Sequence, residues 1–290
     1  MKVAIMTDSN SGITQKEAKE LGIFVLPMPF TIDGQEYEED INLSQDEFYD
    51  KLMNGAEVFT SQPAAGEVTK FFNNILKDYD QIVHIPMSSG LSGSCQTALM
   101  LSDEEEFKDK VYVVDSQRIS VTQKYDVLDA IELAKQGKDA KEIHDILMDN
   151  KLNATIYITV NTLEYLKKGG RITPAAAALG GLLKIKPILT IQGEKLDSFQ
   201  KTRTMAKANK IMINAALEDI KTRIDPEHDD MSGARIMIAY TYDKEQALEF
   251  KKQVEETFPN HEIICDPLSL SVACHIGPHS LAIAACKKII

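Results

Sequence analysis

Long hydrophobic runs are missing from this chain of 290 residues. No apolar stretch approaches the roughly 18 residues of a membrane span, so stable membrane insertion is not expected. The opening segment, Met1-Lys2-Val3-Ala4-Ile5-Met6-Thr7-Asp8, reads directly as a strand. It lacks a charged region followed by a long apolar one, so no signal peptide is expected, and the expected location is cytoplasmic. Cysteine is scarce: Cys95, Cys265, Cys274 and Cys286 show no C-x-x-C spacing and read as reduced core residues of a cytosolic protein. Positive charge is also short. The net charge of −12 argues against nucleic acid as the main partner. Low-complexity tracts and internal repeats are absent, and with 43% hydrophobic and 26% charged residues the composition is that of a soluble globular protein of one large or two ordinary domains. The chain has no Walker loop, no G-x-G-x-x-G, no G-x-S-x-G and no H-E-x-x-H. No independent catalytic constellation stands out, and neither a metal nor a cofactor is expected.

The most informative segment is Ser88-Ser89-Gly90-Leu91-Ser92-Gly93-Ser94. It follows an apolar run at 81–86 that reads as a buried strand, and it precedes a helix predicted at 95–101. A turn of small hydroxyl and glycine residues between strand and helix gathers backbone N–H groups at the positive end of the helix dipole. Such a turn holds an anion such as a phosphate or carboxylate. The same residues also make an ordinary helix N-cap.

Strands and helices alternate through the first half. Strands are predicted at 3–7, 23–29, 81–86 and 111–115. Helices are predicted at 14–21, 64–76, 121–136 and 139–149, with a short one running from Ser44 to Met53. Thr14 with Glu17, and Ser44 with Glu47, have capping-box spacing. Pro63 suits the first turn of the helix it opens, and Asp33-Gly34 marks a hairpin-like turn. This alternation implies βαβ units and a parallel sheet covered on both faces. The polar break Asp149-Asn150-Lys151-Leu152-Asn153 marks a boundary between domains at 1–152 and 153–290. Beyond it the elements look more mixed: strands at 155–160, 186–191, 235–240 and 262–265, helices at 174–183, 204–220, 244–257 and 279–288, and a surface loop at 223–233.

Charge is uneven. Residues 165–217 hold ten cations against only Glu194 and Asp197, an excess of eight in a strongly acidic chain. That density suggests a surface for an anionic group or an acidic partner.

Ligands of open α/β sheets gather at the carboxyl ends of strands. Three loops fall there: Asp8-Ser9-Asn10-Ser11, Thr60-Ser61-Gln62-Pro63 and the segment from Ser88 to Ser94. Together they read as a site. Late in the chain, His275-Ile276-Gly277-Pro278-His279 forms a turn before a predicted helix. His275 serves either as a donor to a bound carboxylate or as a structural residue of the turn. Asp8 serves either as a catalytic carboxylate or as the cap of its own turn. A rival reading makes the chain a phosphotransferase or hydrolase that uses Asp8, Ser92 and His275 on a small anionic metabolite.

The ordered set Asp8-Ser9, Thr60-Ser61-Gln62-Pro63, Ser88 to Ser94, Leu166-Lys167-Lys168-Gly169-Gly170-Arg171-Ile172, Lys186-Pro187-Ile188-Leu189, Arg203 and His275-x-Gly-Pro resembles the DegV family of bacterial lipid-binding proteins over nearly the whole length. The resemblance implies two α/β domains: an N-terminal three-layer α/β/α domain on a parallel sheet, and a C-terminal two-layer domain with a mixed sheet. A long-chain fatty acid such as palmitate would lie buried between them. It implies a carrier rather than an enzyme, one that presents its acyl chain to a separate kinase subunit for conversion to an acyl phosphate. A lipid-sensing regulator is the alternative within the same class. By family pattern Thr60 and Ser92 would contact the carboxylate, with Ser61, Ser89, Gly93 and His275 close by. The head group would then be held by hydroxyls and helix amides without a full counter-ion. Arg171 and Arg203 would serve the phosphoryl-transfer or kinase-docking surface. The chain departs from the family pattern at His279-Ser280 and in the glycine-free stretch 120–124.

Overall fold

The computed structural model describes residues 2–39, 41–179, 185–193 and 195–290. The first half builds strand β1 (Val3–Asp8), helix α1 (Gln15–Leu21), β2 (Phe24–Leu26), β3 (Phe30–Ile32), β4 (Gln35–Tyr37), α2 (Gln45–Met53), β5 (Val58–Thr60), α3 (Ala65–Ile75), β6 (Gln81–Ile85), α4 (Ser94–Ser102), β7 (Val111–Val113), α5 (Ser120–Lys135) and α6 (Ala140–Asp149). The second half builds β8 (Ala154–Thr159), α7 (Glu164–Gly169), α8 (Pro174–Ala178), β9 (Lys186–Ile191), β10 (Asp197–Thr202), α9 (Met205–Asp219), β11 (Ala234–Tyr240), α10 (Lys244–Thr257), β12 (Ile263–Pro267), α11 (Leu270–Ile276) and β13 (Leu281–Lys287).

The strands β2-β1-β6-β7 form a parallel sheet in that order. Side chains alternate across it, as the two-residue period of a strand requires. Ile5, Val83 and Ile85 pack under α1, α5 and α6, while Ala4, Met6 and Ile82 pack under α3 and α4. The result is the three-layer α/β/α arrangement expected. Both capping boxes form, Thr14 with Glu17 and Ser44 with Glu47.

One predicted strand splits. Residues 23–29 divide into β2, in the parallel sheet, and β3, in a small antiparallel sheet β4-β3-β5. Pro27 and Pro29 lie at the break and have no N–H to give a ladder. Asp33 and Gly34, both at positive φ (50° and 81°), turn β3 into β4 as a two-residue hairpin.

The second half makes a six-stranded mixed sheet, β10-β9-β8-β13-β11-β12, in which only β11 and β12 run parallel. Helices α9 and α10 cover one face. The other face packs on α7, α8 and α11 and on Met87, Leu91 and Val121 from the first half. The helix expected at 279–288 is strand β13, at the centre of this sheet. Leu281, Ile283 and Ala285 face one cluster, and Ala282, Ala284 and Cys286 face the other. A short apolar run fits a doubly buried strand and a buried helix equally well, and here sheet pairing overrides the helical preference of its alanines. The predicted helix at 174–183 runs only from Pro174 to Ala178, and 180–184 lie outside the described residues.

Two ion pairs tie α5 to the mixed sheet. Arg235 of β11 forks onto Asp129 at 2.7 Å through both guanidinium nitrogens, and Lys124 meets Asp266 of β12 at 2.9 Å. Asp129 is 2% exposed.

Candidate functional site

Where the two sheets meet lies a cavity of about 230 Å³. Its polar wall is Asn10, Thr60, Ser61, Gln62, Ser92, Gly93, Arg171, Ser271 and His275. Its apolar wall is Met28, Met87, Leu91, Ile119, Leu166, Leu196, Val272 and Ile276. The three hydroxyl-rich loops thus converge as expected, with one difference in origin. Thr60 ends β5 in the small antiparallel sheet, whereas the other two loops leave the parallel sheet.

Two of the polar wall residues are joined by a 2.7 Å hydrogen bond between Thr60 Oγ1 and His275 Nε2. His275 lies in the last turn of α11, before Gly277, and not in a turn ahead of a helix. Pro278 leads into β13 instead of opening a helix. Two glycines seat this region. A Cβ on Gly169 would stand 2.0 Å from His275 Nδ1, and one on Gly277, at φ 75°, would stand 2.4 Å from the Tyr165 ring. Burial, and then the nearby Arg171 guanidinium, lower the His275 pKa to about 4. The imidazole is therefore neutral at pH 7. When Nε2 carries the proton it donates to Thr60, and the Thr60 hydroxyl is free to donate into the cavity.

Arg171 lines the same cavity. Its Nε donates to the Leu91 carbonyl at 3.2 Å, and its Nη1 donates to the Gly169 carbonyl. This places a cation beside the hydroxyls, where the sequence argument expected none. An anion here meets a full counter-charge as well as neutral donors. Arg203 is not part of the cavity wall. It is exposed after β10, with Lys201, Lys207 and Lys210 also exposed nearby in sequence.

Ser92 sits where α4 begins. That helix has Gly93 at its N-cap, which has no side chain to cap it, and its first N–H is instead met by Ser92. Ser92 Oγ accepts from the Ser94 N–H at 3.2 Å. Gly93 packs against Gln62, whose Oε1 would lie 2.4 Å from a Cβ at that position. Ser89 points elsewhere: its hydroxyl donates to Asp115 at 2.6 Å, and it does not line the cavity. His279 and Ser280 also stand off the cavity wall.

Asp8 is buried and accepts from the Met87 N–H at 2.8 Å and from Asn10 and Gln123. Burial raises its pKa. These bonds cap its own turn and hold β1 to the loop after β6. Asp8 does not line the cavity and lies behind Asn10, which accepts from Ser271 at 2.7 Å. Arg171 and Ser271 are wall residues that sequence reasoning did not place there, while Asn10 and Gln62 belong to the loops it read as a site. For Arg171 the signal was present in the preceding Gly169-Gly170, but it was read as a surface motif. Among the described residues no group of three or more His, Cys, Asp or Glu side chains could hold a metal, and no helix is long and apolar enough to cross a membrane.

The chain is 30% identical over 287 residues to "DegV domain-containing protein SA1258" of Staphylococcus aureus (strain N315), covering 99% of both chains. A solved Thermus thermophilus structure, described as fatty acid binding of a DegV family protein, matches with a TM-score of 0.89 and 28% identity, over 99% of this chain and 100% of that one. The structure of DegV from Bacillus subtilis, described as a fatty acid binding protein, matches with a TM-score of 0.86 and 27% identity, over 99% and 100% of the two chains. The family described as "Uncharacterised protein, DegV family" matches residues 2–288, and the chain belongs to that family.

Proposed function

We propose that this protein binds one long-chain fatty acid in the cavity between an N-terminal domain, residues 1–152, and a C-terminal domain, residues 153–290. Its carboxylate lies against Thr60, Ser92 and Arg171, with Ser61, Gly93 and His275 beside it. The observation that carries this reading is the mixed lining of one cavity: the hydrogen-bonded Thr60–His275 pair, Ser92 and Arg171 share its wall with leucine, isoleucine, valine and methionine. Each methylene buried against such a wall contributes about 0.8 kcal/mol. A long chain therefore supplies ample affinity, while hydroxyls and a guanidinium keep the carboxylate from being stranded. The fatty-acid binding described for the Thermus and Bacillus relatives supports the same ligand class.

The protein acts as a cytoplasmic carrier and leaves the chemistry to a partner kinase, which converts the presented carboxylate to an acyl phosphate. Supporting this are the cations exposed at 201–210 in a chain of net charge −12, and the absence of Asp8 from the cavity wall.

The test is mass spectrometry of lipid released by denaturing gently purified protein. About one acyl chain per protein is expected. Protein that carries no fatty acid, and takes none up after delipidation, would overturn the reading.

A further inference from the structure

A second cavity, of about 180 Å³, lies where the segment between β7 and α5 meets the start of β8. It shares only Ile119 with the first cavity, and none of the polar residues around Thr60 and His275 borders it. Its wall carries three cations: Arg118 ahead of α5, Lys151 after α6 and Arg223 after α9. Among the described residues that line it, none is acidic.

The three cations are held to different degrees. The Arg118 side chain is 2% exposed, and its terminal nitrogens donate to Asp126 at 2.6 Å and to the Asn150 carbonyl at 2.8 Å. Its buried Nε–H has no partner, a costly state for a donor unless a ligand accepts from it. Arg223 donates to the Leu152 and Ala154 carbonyls and stands 3.5 Å from Asp219. Among the described residues nothing pairs with the Lys151 ammonium. Asp126 and Asp219 offset the two arginines but do not line the cavity, so the charged groups of the wall itself are all positive.

We propose that this cavity is a second binding site, for a phosphate group that is either free or carried by a small organic molecule. Cations from three separate segments suit the oxygens of a tetrahedral phosphate, which point in several directions, better than the two oxygens of a planar carboxylate. Arg118 and Lys151 belong to residues 1–152 and Arg223 to residues 153–290, so a bound phosphate bridges the two halves.

Equilibrium dialysis against radiolabelled inorganic phosphate at constant ionic strength tests this. Wild-type protein should bind about one phosphate saturably, and neither acetate nor palmitate should displace it. Displacement by methyl phosphate at a lower concentration than by unlabelled phosphate marks an organic phosphate as the ligand, and the reverse order marks the free ion. Lys151→Met keeps the length of the side chain and removes its charge, and Gln192→Glu sets a carboxylate at the exposed rim. Each should weaken binding about tenfold or more, with thermal melting of the same samples reporting the fold. No saturable binding, or unchanged binding in the folded variants, overturns the site. Displacement by palmitate would put the phosphate in the first cavity, and displacement by acetate as readily as by phosphate would remove the preference for phosphate; either result overturns the proposal.

Discussion

Gly169→Ala isolates the placement of His275. Gly169 ends α7 with a backbone that any residue adopts, so alanine brings no backbone strain. In a helix, alanine is favoured over glycine by about 1 kcal/mol. Helix propensity alone therefore predicts a neutral or mildly stabilising change. The new methyl, however, would stand 2.0 Å from His275 Nδ1 and 2.8 Å from its Cε1. The imidazole must move, and open space lies beside it both in the main cavity and in a smaller one, of about 140 Å³, that it also lines. The ring then leaves Thr60, and the hydroxyl loses the partner that aims it. Losing a hydrogen bond to a charged ligand group weakens binding by about 1.5–3 kcal/mol, or about 10- to 150-fold. Calorimetric titration of delipidated protein with palmitate measures this, and thermal melting of the same samples shows whether the fold is intact. The cycle with His275→Ala is decisive, because Gly169→Ala should cost almost nothing once the ring is gone. Wild-type affinity in Gly169→Ala, or an undiminished effect of it in the His275→Ala background, would refute the argument.

Thr60→Ala and Ser92→Ala should each weaken fatty-acid binding by about 1.5–3 kcal/mol without unfolding the protein; wild-type affinity of the double variant in the same titration would remove both from the head-group site. Arg171→Ala should weaken binding, because this arginine lines the cavity, whereas Arg203→Ala should leave binding intact and lower only kinase-dependent acyl-phosphate formation; equal affinities for the two variants would contradict the placement of Arg171. The buried His275, with its pKa lowered to about 4, refuses a proton that an unfolded histidine takes near 6.5. Its contribution is full above pH 6.5 and is lost as pH falls toward 4, by about 1–2 kcal/mol at pH 5. Asp126, raised by burial to about 6, works in the opposite direction but is common to wild type and variant. Denaturant titrations at pH 7 and pH 5 should therefore show His275→Gln losing about 1–2 kcal/mol less than wild type on acidification, and equal losses would mean that the folded protein protonates His275.

Local signals were legible where local chemistry decides the outcome. Thr14 with Glu17, Ser44 with Glu47, and Asp33-Gly34 state their caps and turn within four residues. The alternating strands and helices of the first half gave a parallel sheet because each element carries its own periodicity. Legibility failed where partners distant in sequence decide. Residues 281–287 read as a helix because alanine and leucine suit one, yet β8 and β11 claim them as the middle of a sheet. His275 reads as part of a turn because Gly277-Pro278 dominates its surroundings, and the seven-residue α11 that carries it has no side-chain cap to announce it. The hydroxyl loops were found because serine, threonine and glycine cluster visibly. Arg171 was read as surface because nothing local records that Leu91, distant in sequence, supplies the carbonyl that holds it.

The ion pairs of α5 bear on how a ligand reaches the cavity. Along α5 the parallel-sheet half is riveted to β11 and β12 by Asp129–Arg235 and Lys124–Asp266. Parting them would strand a nearly buried carboxylate, at about 3–5 kcal/mol. Around the cavity the halves are joined by bonds of another kind: Thr60–His275 and Ser271–Asn10, each at 2.7 Å, Arg171 to the Leu91 carbonyl at 3.2 Å, and an exposed Lys168–Glu57 pair at 3.4 Å. Each of these hydrogen bonds is worth about 0.5–1.5 kcal/mol, and an exposed ion pair less. An opening at the cavity would break such bonds singly, whereas an opening along α5 would have to unpair a nearly buried carboxylate.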